Sequence, residues 1–282
     1  MYLDDDERDQ RRVMWLDYSY ESLATLEACK ELGYRVDEVR TINTMFDEET
    51  EGDHPEILKY KEEVNEFIRE RYGAEVTRIF FPETYKELFM MDFTKQPGRM
   101  HGYPHLNGRW CKEVMKTRWM VYSYDNIREK YYKALPFERR SERVDKFHNI
   151  YPLIEMRWTH EDCVKFCEEW GLVAPRDDDY CWYCPFVKMD RMKDIKYNYP
   201  ELWKKWLKLD NIAMKKWTGD PKTSPVRMKG RWWLNGFNKR FDGEKDGRYP
   251  ADAKFRWKML NDKPRLLTMH NPLTRGDRHY GN

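Results

Sequence analysis

The chain has 282 residues, enough for one large domain with an extension or for two smaller ones. Hydrophobic residues make up 40% and charged residues 36%, so a core can form beneath a strongly ionic surface, and no apolar run is long enough to span a bilayer. The net charge of +2 hides a split: residues 1–185 carry 28 Lys+Arg against 39 Asp+Glu, and residues 186–282 carry 24 against 11, a pattern that points to a polyanion partner for the C-terminal part.

Met1 to Asp9 is acidic and lacks the basic and apolar regions of a signal peptide. Six cysteines in a chain of this size do not make a secreted disulfide scaffold. A soluble, cytoplasmic protein is the expectation.

In chain order, Val13-Met14-Trp15-Leu16 reads as a short buried strand. Glu21 to Leu32 has helical spacing, with Gly33 just past its end as a C-cap. Val36 to Ile42 is β-branched and reads as strand. Pro55 opens a second helix in its first turn, where the missing N–H costs nothing, and Gly73 ends it. Ile57, Tyr60, Val64, Phe67 and Ile68 supply its apolar face. Glu75 to Phe81 is again strand-like. Alternation of this kind predicts a parallel sheet with right-handed crossovers.

Phe93 to Asn107, with Pro97, Gly98, Gly102 and Pro104, reads as loop. Arg109 to Met120 reads as a helix beginning near Cys111. Tyr151 to Ile154 reads as a short strand. Thr159 caps a helix that runs to Trp170, with Glu161 and Asp162 in its first turn and Gly171 as its stop. Glu201 to Trp217 reads as a basic helix. Residues 218–282 are rich in Gly, Pro, Trp and Arg and show little periodicity.

The cysteines divide into two groups. Cys29 lies in a helical stretch, and Cys163 and Cys167 share one helix face, where a thiol behaves as a small hydrophobe. Cys111, Cys181 and Cys184 remain. The pair Cys181-Trp182-Tyr183-Cys184 can point two thiolates at one metal, and Arg109-Trp110-Cys111 offers a third. Soft thiolates suit iron–sulfur or zinc, and three buried thiols without metal is the remaining reading. For zinc, His101 or His105 would be the fourth ligand.

Four places in this order resemble the phosphoadenosine phosphosulfate (PAPS) reductase family of the adenine-nucleotide alpha-hydrolase, or PP-loop, superfamily. They are Asp17-Tyr18-Ser19-Tyr20-Glu21-Ser22; Asn43-Thr44 followed by His54-Pro55-Glu56; Arg109-Trp110-Cys111 with Lys116; and Tyr151-Pro152-Leu153-Ile154 with Trp158-Thr159, Asp162 and Cys181 to Phe186. The match covers roughly residues 13–210.

The resemblance implies a three-layer α/β fold over residues 1–200, with a parallel sheet and helices on both faces, and a basic, Trp-rich extension of irregular and helical character over 201–282. It also implies an adenine nucleotide, ATP or a sulfonucleotide, at Asp17, Tyr18, Ser19, Tyr20 and Ser22 with Asn43 and Thr44. Arg109 and Lys116 would position an anion, and Glu21 would receive a proton or hold Mg²⁺. Cys111, Cys181 and Cys184 would hold a [4Fe-4S] cluster, zinc being the alternative, with Trp110 where relatives have a further cysteine.

Departures from the family shape the expected chemistry. Tyr18 and Ser19 replace the glycines that let backbone N–H groups approach phosphate. No cysteine follows Cys184, so the thiol that attacks the sulfonucleotide in the reductases is missing. Two readings follow. One is an enzyme that moves or reduces sulfur at an adenylylated or nucleic-acid substrate, with a protein partner supplying sulfur or electrons. The other is a catalytically eroded protein of the same fold that binds nucleic acid or regulates a partner through a structural metal site.

The basic extension carries Trp203, Trp206, Trp217, Trp232, Trp233 and Trp257 among lysines and arginines, most densely in Arg227-Met228-Lys229-Gly230-Arg231-Trp232-Trp233. Cations that track phosphates and rings that stack bases would contact tRNA or DNA. Core packing of Trp206 and Leu209, and folding of the basic tail against the acidic front of the same chain, are the alternatives.

Overall fold

The computed structural model describes residues 10–93, 96–104, 109–118, 129–144, 149–175, 181–216, 228, 233–248, 256–260 and 263–267; at 93, 96–99, 116–118, 256–260 and 263–267 it describes the backbone only. Met1 to Asp9, His105, Trp217 and Trp232 lie outside these residues.

The chain divides into two compact units, one made of residues 1–85 and 109–181, the other of 86–108 and 182–282. In the first, β1 (Arg11–Trp15) leads into α1 (Tyr20–Glu31), then β2 (Glu38–Asn43), a small hairpin of β3 (Met45–Asp47) and β4 (Thr50–Glu51), α2 (Pro55–Tyr72) and β5 (Val76–Phe80). The helix α3 (Tyr85–Met90) leads into the second unit, where β6 (Asp92–Phe93) and β7 (Gln96–Met100) pair antiparallel. Back in the first unit come α4 (Trp110–Lys112), which continues as a π-helical turn over Glu113–Arg118, then β8 (Glu129–Tyr132), a 3₁₀ helix (Phe137–Glu142), β9 (Asn149–Ile150), α5 (Pro152–Glu155) and α6 (His160–Glu169). The second unit resumes with α7 (Met189–Asn198), α8 (Pro200–Lys216), α9 (Leu234–Lys245) and an antiparallel pair, β10 (Arg256–Leu260) with β11 (Lys263–Leu267).

Five strands form one parallel sheet in the order β5-β2-β1-β8-β9, flanked by helices. In chain order of these strands the sheet runs 3-2-1-4-5, so the order reverses between β1 and β8. One face carries the main core: Met14, Val39 and Tyr132 from the strands pack with Leu23, Leu26 and Cys29 of α1, Tyr60, Val64 and Ile68 of α2, Leu153 of α5, and Cys163, Phe166 and Cys167 of α6. The other face carries Val13, Trp15 and Tyr131 with Ile42 and Ile79. There Arg40 bridges Glu38 at 2.8 Å and Glu129 at 2.9 Å, which ties β2 to β8 across β1.

Several boundaries follow from local signals. Gly33 and Gly73 adopt the left-handed conformation that ends α1 and α2, and Pro55 sits in the first turn of α2. Thr159 and Asp162 form a reciprocal capping box on α6. Other stretches differ from the sequence reading. Tyr151 to Ile154 is the start of α5 rather than a strand, because Pro152 occupies the first turn of a helix, and the strand is Asn149–Ile150 just before it. The glycine- and proline-rich stretch after Met91 contains the β6–β7 hairpin, not only loop. Residues 218–282, which show little periodicity in sequence, contain α9 and the β10–β11 pair.

Candidate functional site

In open parallel sheets, ligands bind outside the carboxyl ends of the strands where the strand order reverses, because the two neighbouring connections diverge there and leave a crevice. That point lies between β1 and β8. The segment leaving β1 is Leu16-Asp17-Tyr18-Ser19, and it runs directly into α1.

Tyr18 occupies a glycine-like left-handed backbone, with φ of 62°. For a residue with a Cβ this costs about 1–2 kcal/mol, against about 1.5–3 kcal/mol from burying a large apolar side chain. The ring is in the core, 2% exposed, with its hydroxyl donating to Asn65 Oδ1 at 3.0 Å and Lys61 Nζ 4.7 Å from the ring centroid. Burial pushes the Tyr18 hydroxyl up from its ordinary value. The turn therefore keeps its tight shape without glycine, and the ring does not fill the loop.

Ser19 is the N-cap of α1: its Oγ accepts from the Ser22 N–H at 3.2 Å. Asp17 Oδ1 accepts from the Ser19 N–H at 3.0 Å and from the Ser19 hydroxyl at 2.7 Å. Ser22 is buried and donates its hydroxyl to the Ser19 carbonyl. A carboxylate thus already occupies the loop donors that would otherwise face an anion.

At the carboxyl end of β2, Asn43 and Thr44 are 1% and 5% exposed. Asn43 Nδ2 donates to Glu51 Oε2 at 3.2 Å, but Asn43 Oδ1 and Thr44 Oγ1 are buried without a hydrogen-bond partner. An unsatisfied buried polar atom costs about 1–3 kcal/mol, which a ligand donor would offset.

The carboxyl end of β8 adds a residue that sequence reasoning missed. Lys133 continues the strand pairing through its N–H to the Ile150 carbonyl at 2.9 Å, and burial pushes its ammonium down to about 8. No local motif distinguishes it from the chain's many other lysines.

Cys181 is half-buried and tethered to the same region by contacts within the first unit. Its backbone forms an antiparallel bridge with Asp53, Asp53 forms a buried ion pair with Lys61 at 2.5 Å, and Lys61 faces the Tyr18 ring. His54, fully buried, caps α2 by accepting the Glu56 N–H on Nδ1 at 3.2 Å.

Cys111 is half-buried in α4, after Trp110, whose ring stacks on Tyr85 at 5.4 Å. Trp110 thus stands as a packing residue where the family resemblance places a cysteine. Arg109 is exposed at the N-cap of α4; Lys116 lies in the π-helical turn, and its side chain is outside the described atoms.

Cys184 is half-buried in the second unit, and its carbonyl accepts the Val187 N–H at 3.2 Å. The two residues between the thiols are core anchors: Trp182 and Tyr183 are 1% and 3% exposed, and their rings meet edge to face at 5.1 Å.

None of the six cysteines forms a disulfide. The donor chemistry of Cys111, Cys181 and Cys184 fits a thiophilic centre, but among the described residues no three His, Cys, Asp or Glu side chains are gathered to hold a metal ion. His101, the zinc alternative, directs Nδ1 to the Leu88 carbonyl at 2.8 Å, which places the proton on that nitrogen. Cys163 and Cys167 are core thiols; burial pushes both up to about 12, far from reactive thiolates.

In the basic extension, Trp203, Trp206 and Trp233 are 4%, 0% and 6% exposed and belong to the core of the second unit, so these rings are not free to stack bases. Among the described residues, Lys193, Tyr197, Phe241, Glu244 and Lys245 of α7 and α9 line a groove of about 440 Å³. Lys193 pairs with Glu244 at 2.6 Å, and Lys245 Nζ lies 5.4 Å from the Tyr197 ring. Among the described residues, no helix is long and apolar enough to cross a membrane. Compared with protein-family models and with curated proteins, the chain matches none.

Proposed function

We propose that this chain is a PP-loop-type, PAPS-reductase-like protein that binds an adenine nucleotide and moves or reduces sulfur on a nucleotide-activated or nucleic-acid substrate. The observation that carries the reading is the placement of Asp17–Ser22 at the reversal point of the sheet, beside the unpartnered oxygens of Asn43 and Thr44. An exocyclic amine of adenine is a donor of the kind those two acceptors lack. Asp17 and the first turn of α1 would meet the phosphates through a cation, since the loop donors already hold a carboxylate. Arg109 and Lys116 would position the anionic group.

Cys111, Cys181 and Cys184 would hold an iron–sulfur cluster, with zinc the alternative; when bound, a cluster with an open iron would supply a site for sulfide or a substrate atom. The soft donor set supports this assignment. Isothermal titration with ATP, AMP and adenosine 3′,5′-bisphosphate tests the nucleotide site, with Asn43→Ala and Thr44→Val as controls. No binding of any of the three overturns it. Protein purified without oxygen that is colourless and carries one zinc removes the cluster.

A second reading is favoured by the Asp17 carboxylate in the loop. It is an eroded fold-mate that no longer binds phosphate and contacts nucleic acid through the lysines of the α7–α9 groove. Tight, salt-dependent binding of tRNA or single-stranded DNA together with no nucleotide binding would select it.

A further inference from the structure

Glu21 and His160 lie 139 residues apart in sequence and meet at 2.7 Å, Glu21 Oε1 to His160 Nδ1. Glu21 is the second residue of α1, immediately after the loop that leaves β1. His160 is the first residue of α6, reached from β9 through α5. A third segment joins them: Glu138, in the 3₁₀ helix that follows β8, accepts the His160 backbone N–H at 2.8 Å. Three segments leaving the carboxyl ends of three adjacent strands, β1, β8 and β9, therefore converge on one imidazole beside the reversal point.

The ring is held on several sides. Thr159 and Asp162 fix the helix start beneath it, and the Tyr20 ring meets it edge-on at 6.4 Å. A carboxylate on Nδ1 selects the tautomer with its proton on that nitrogen and leaves the Nε2 lone pair as the acceptor. The His160 side chain is 56% exposed and that of Glu21 is 23% exposed, so the carboxylate is the more sheltered partner and the imidazole is reachable from solvent. An ordinary surface ion pair would be worth about 0–1 kcal/mol and would need no particular place in the fold. This pair sits where the sheet topology puts ligands, with the ring nitrogen next to the backbone tied to carboxylate.

We propose that His160, oriented by Glu21, is the proton-transfer residue of this site and takes the proton of an external thiol co-substrate on Nε2. The inference rests on the nucleotide-dependent sulfur chemistry proposed above. In the step the thiol S–H bond breaks with its electron pair left on sulfur, and a bond forms between that proton and Nε2. The resulting imidazolium is paired with the Glu21 carboxylate, and the thiolate keeps the electron pair. Glu21 is thereby a positioning residue.

The test combines ¹⁵N-resolved imidazole NMR with diethyl pyrocarbonate modification on the full chain, using adenosine 3′,5′-bisphosphate and dithiothreitol as probes. The expected wild-type spectrum shows His160 as the Nδ1–H tautomer. Glu21→Gln mixes the two tautomers and Glu21→Asp restores the first. Nucleotide at ten times its Kd slows modification of His160 about tenfold, because only the unliganded fraction reacts. Dithiothreitol then shifts the His160 Nε2 resonance in the nucleotide complex. An unchanged backbone amide spectrum outside the start of α6 reports that His160→Gln is folded. If the nucleotide binds while the His160 resonances and modification rate stay unchanged, the dyad faces away from the site; the proposal is then overturned and the nucleotide reading stands. An Nε2–H tautomer in the wild type overturns it as well. If no nucleotide binds, both fall together.

Discussion

At the carboxyl ends of the sheet, Asn43 Oδ1 and Thr44 Oγ1 are buried with no donor, and an exposed imidazole is held by a carboxylate from a distant helix. The basic second unit is arranged differently. Among its described lysines, Lys193 pairs with Glu244, Lys196 with Asp242 and Lys216 with Asp92, and Trp203, Trp206 and Trp233 are core. Composition alone suggests the reverse, with the Lys- and Trp-rich tail as the binding surface and the acidic front as scaffold. A residue type signals recognition only where the fold leaves its polar atoms unsatisfied or its ring exposed. Charge counts in a sequence cannot report either.

Trp206→Ala in the second unit removes a fully buried indole and should cost about 3–5 kcal/mol. Urea denaturation reads the loss, and hydrogen exchange should show it centred on α7, α8 and α9. A cost below about 1 kcal/mol would mean the ring is not core. In the first unit, Lys61→Ala strands the buried Asp53 carboxylate and should cost about 3–5 kcal/mol, because an uncompensated buried charge remains. It should also loosen the Cys181 bridge, read as faster amide exchange at Cys181 and Asp53.

A pH dependence separates the units further. Asp210, fully buried in α8, accepts from Tyr103 Oη at 3.3 Å and from the Leu234 and Asn235 backbone N–H groups at the start of α9. Burial pushes its carboxyl up to about 7. In the unfolded chain it titrates near ~3.9, so the native state binds the proton more tightly between these values. Its stabilising contribution is complete below about pH 4 and is lost as the pH rises through about 7, amounting to a few kcal/mol. Asp210→Asn should flatten that fall in urea midpoint; an unchanged slope would mean another group titrates.

The smallest effect has the opposite sign. Thr44→Val removes an unpartnered buried hydroxyl and should stabilise the free protein by about 1 kcal/mol while weakening adenine-nucleotide binding. Destabilisation instead would show that the hydroxyl is satisfied in solution.

Much of the first unit is legible from local signals. Pro55, Gly33, Gly73 and the Thr159–Asp162 capping box mark helix ends because they act within a few residues of themselves. Alternating strands and helices announced the parallel sheet for the same reason. The misread stretches are those where one residue type has two uses. Pro152 opens a helix although the β-prone residues around it suggest strand, and Gly236 and Gly243 are buried inside α9 although glycine argues against helix. In the candidate site, Asp17–Ser22 and Asn43–Thr44 are visible as short ordered motifs, whereas Lys133 and His160 carry no local mark.

By itself, then, the sequence determined where α1, α2, α6 and α8 lie, which thiols are helix-face hydrophobes, and that a strand–loop–helix begins at Val13, all consequences of interactions within a turn or two of helix. Only the tertiary structure decided that Tyr18 takes a glycine's conformation with its ring buried, and that Trp203, Trp206 and Trp233 are core. It also decided that His160 meets Glu21 across 139 residues. The physical reason is that burial and pairing at these positions depend on contacts between segments distant in sequence. Those contacts are set by the strand order 3-2-1-4-5 in the first unit and by helix packing in the second, and neither leaves a periodic trace in the chain.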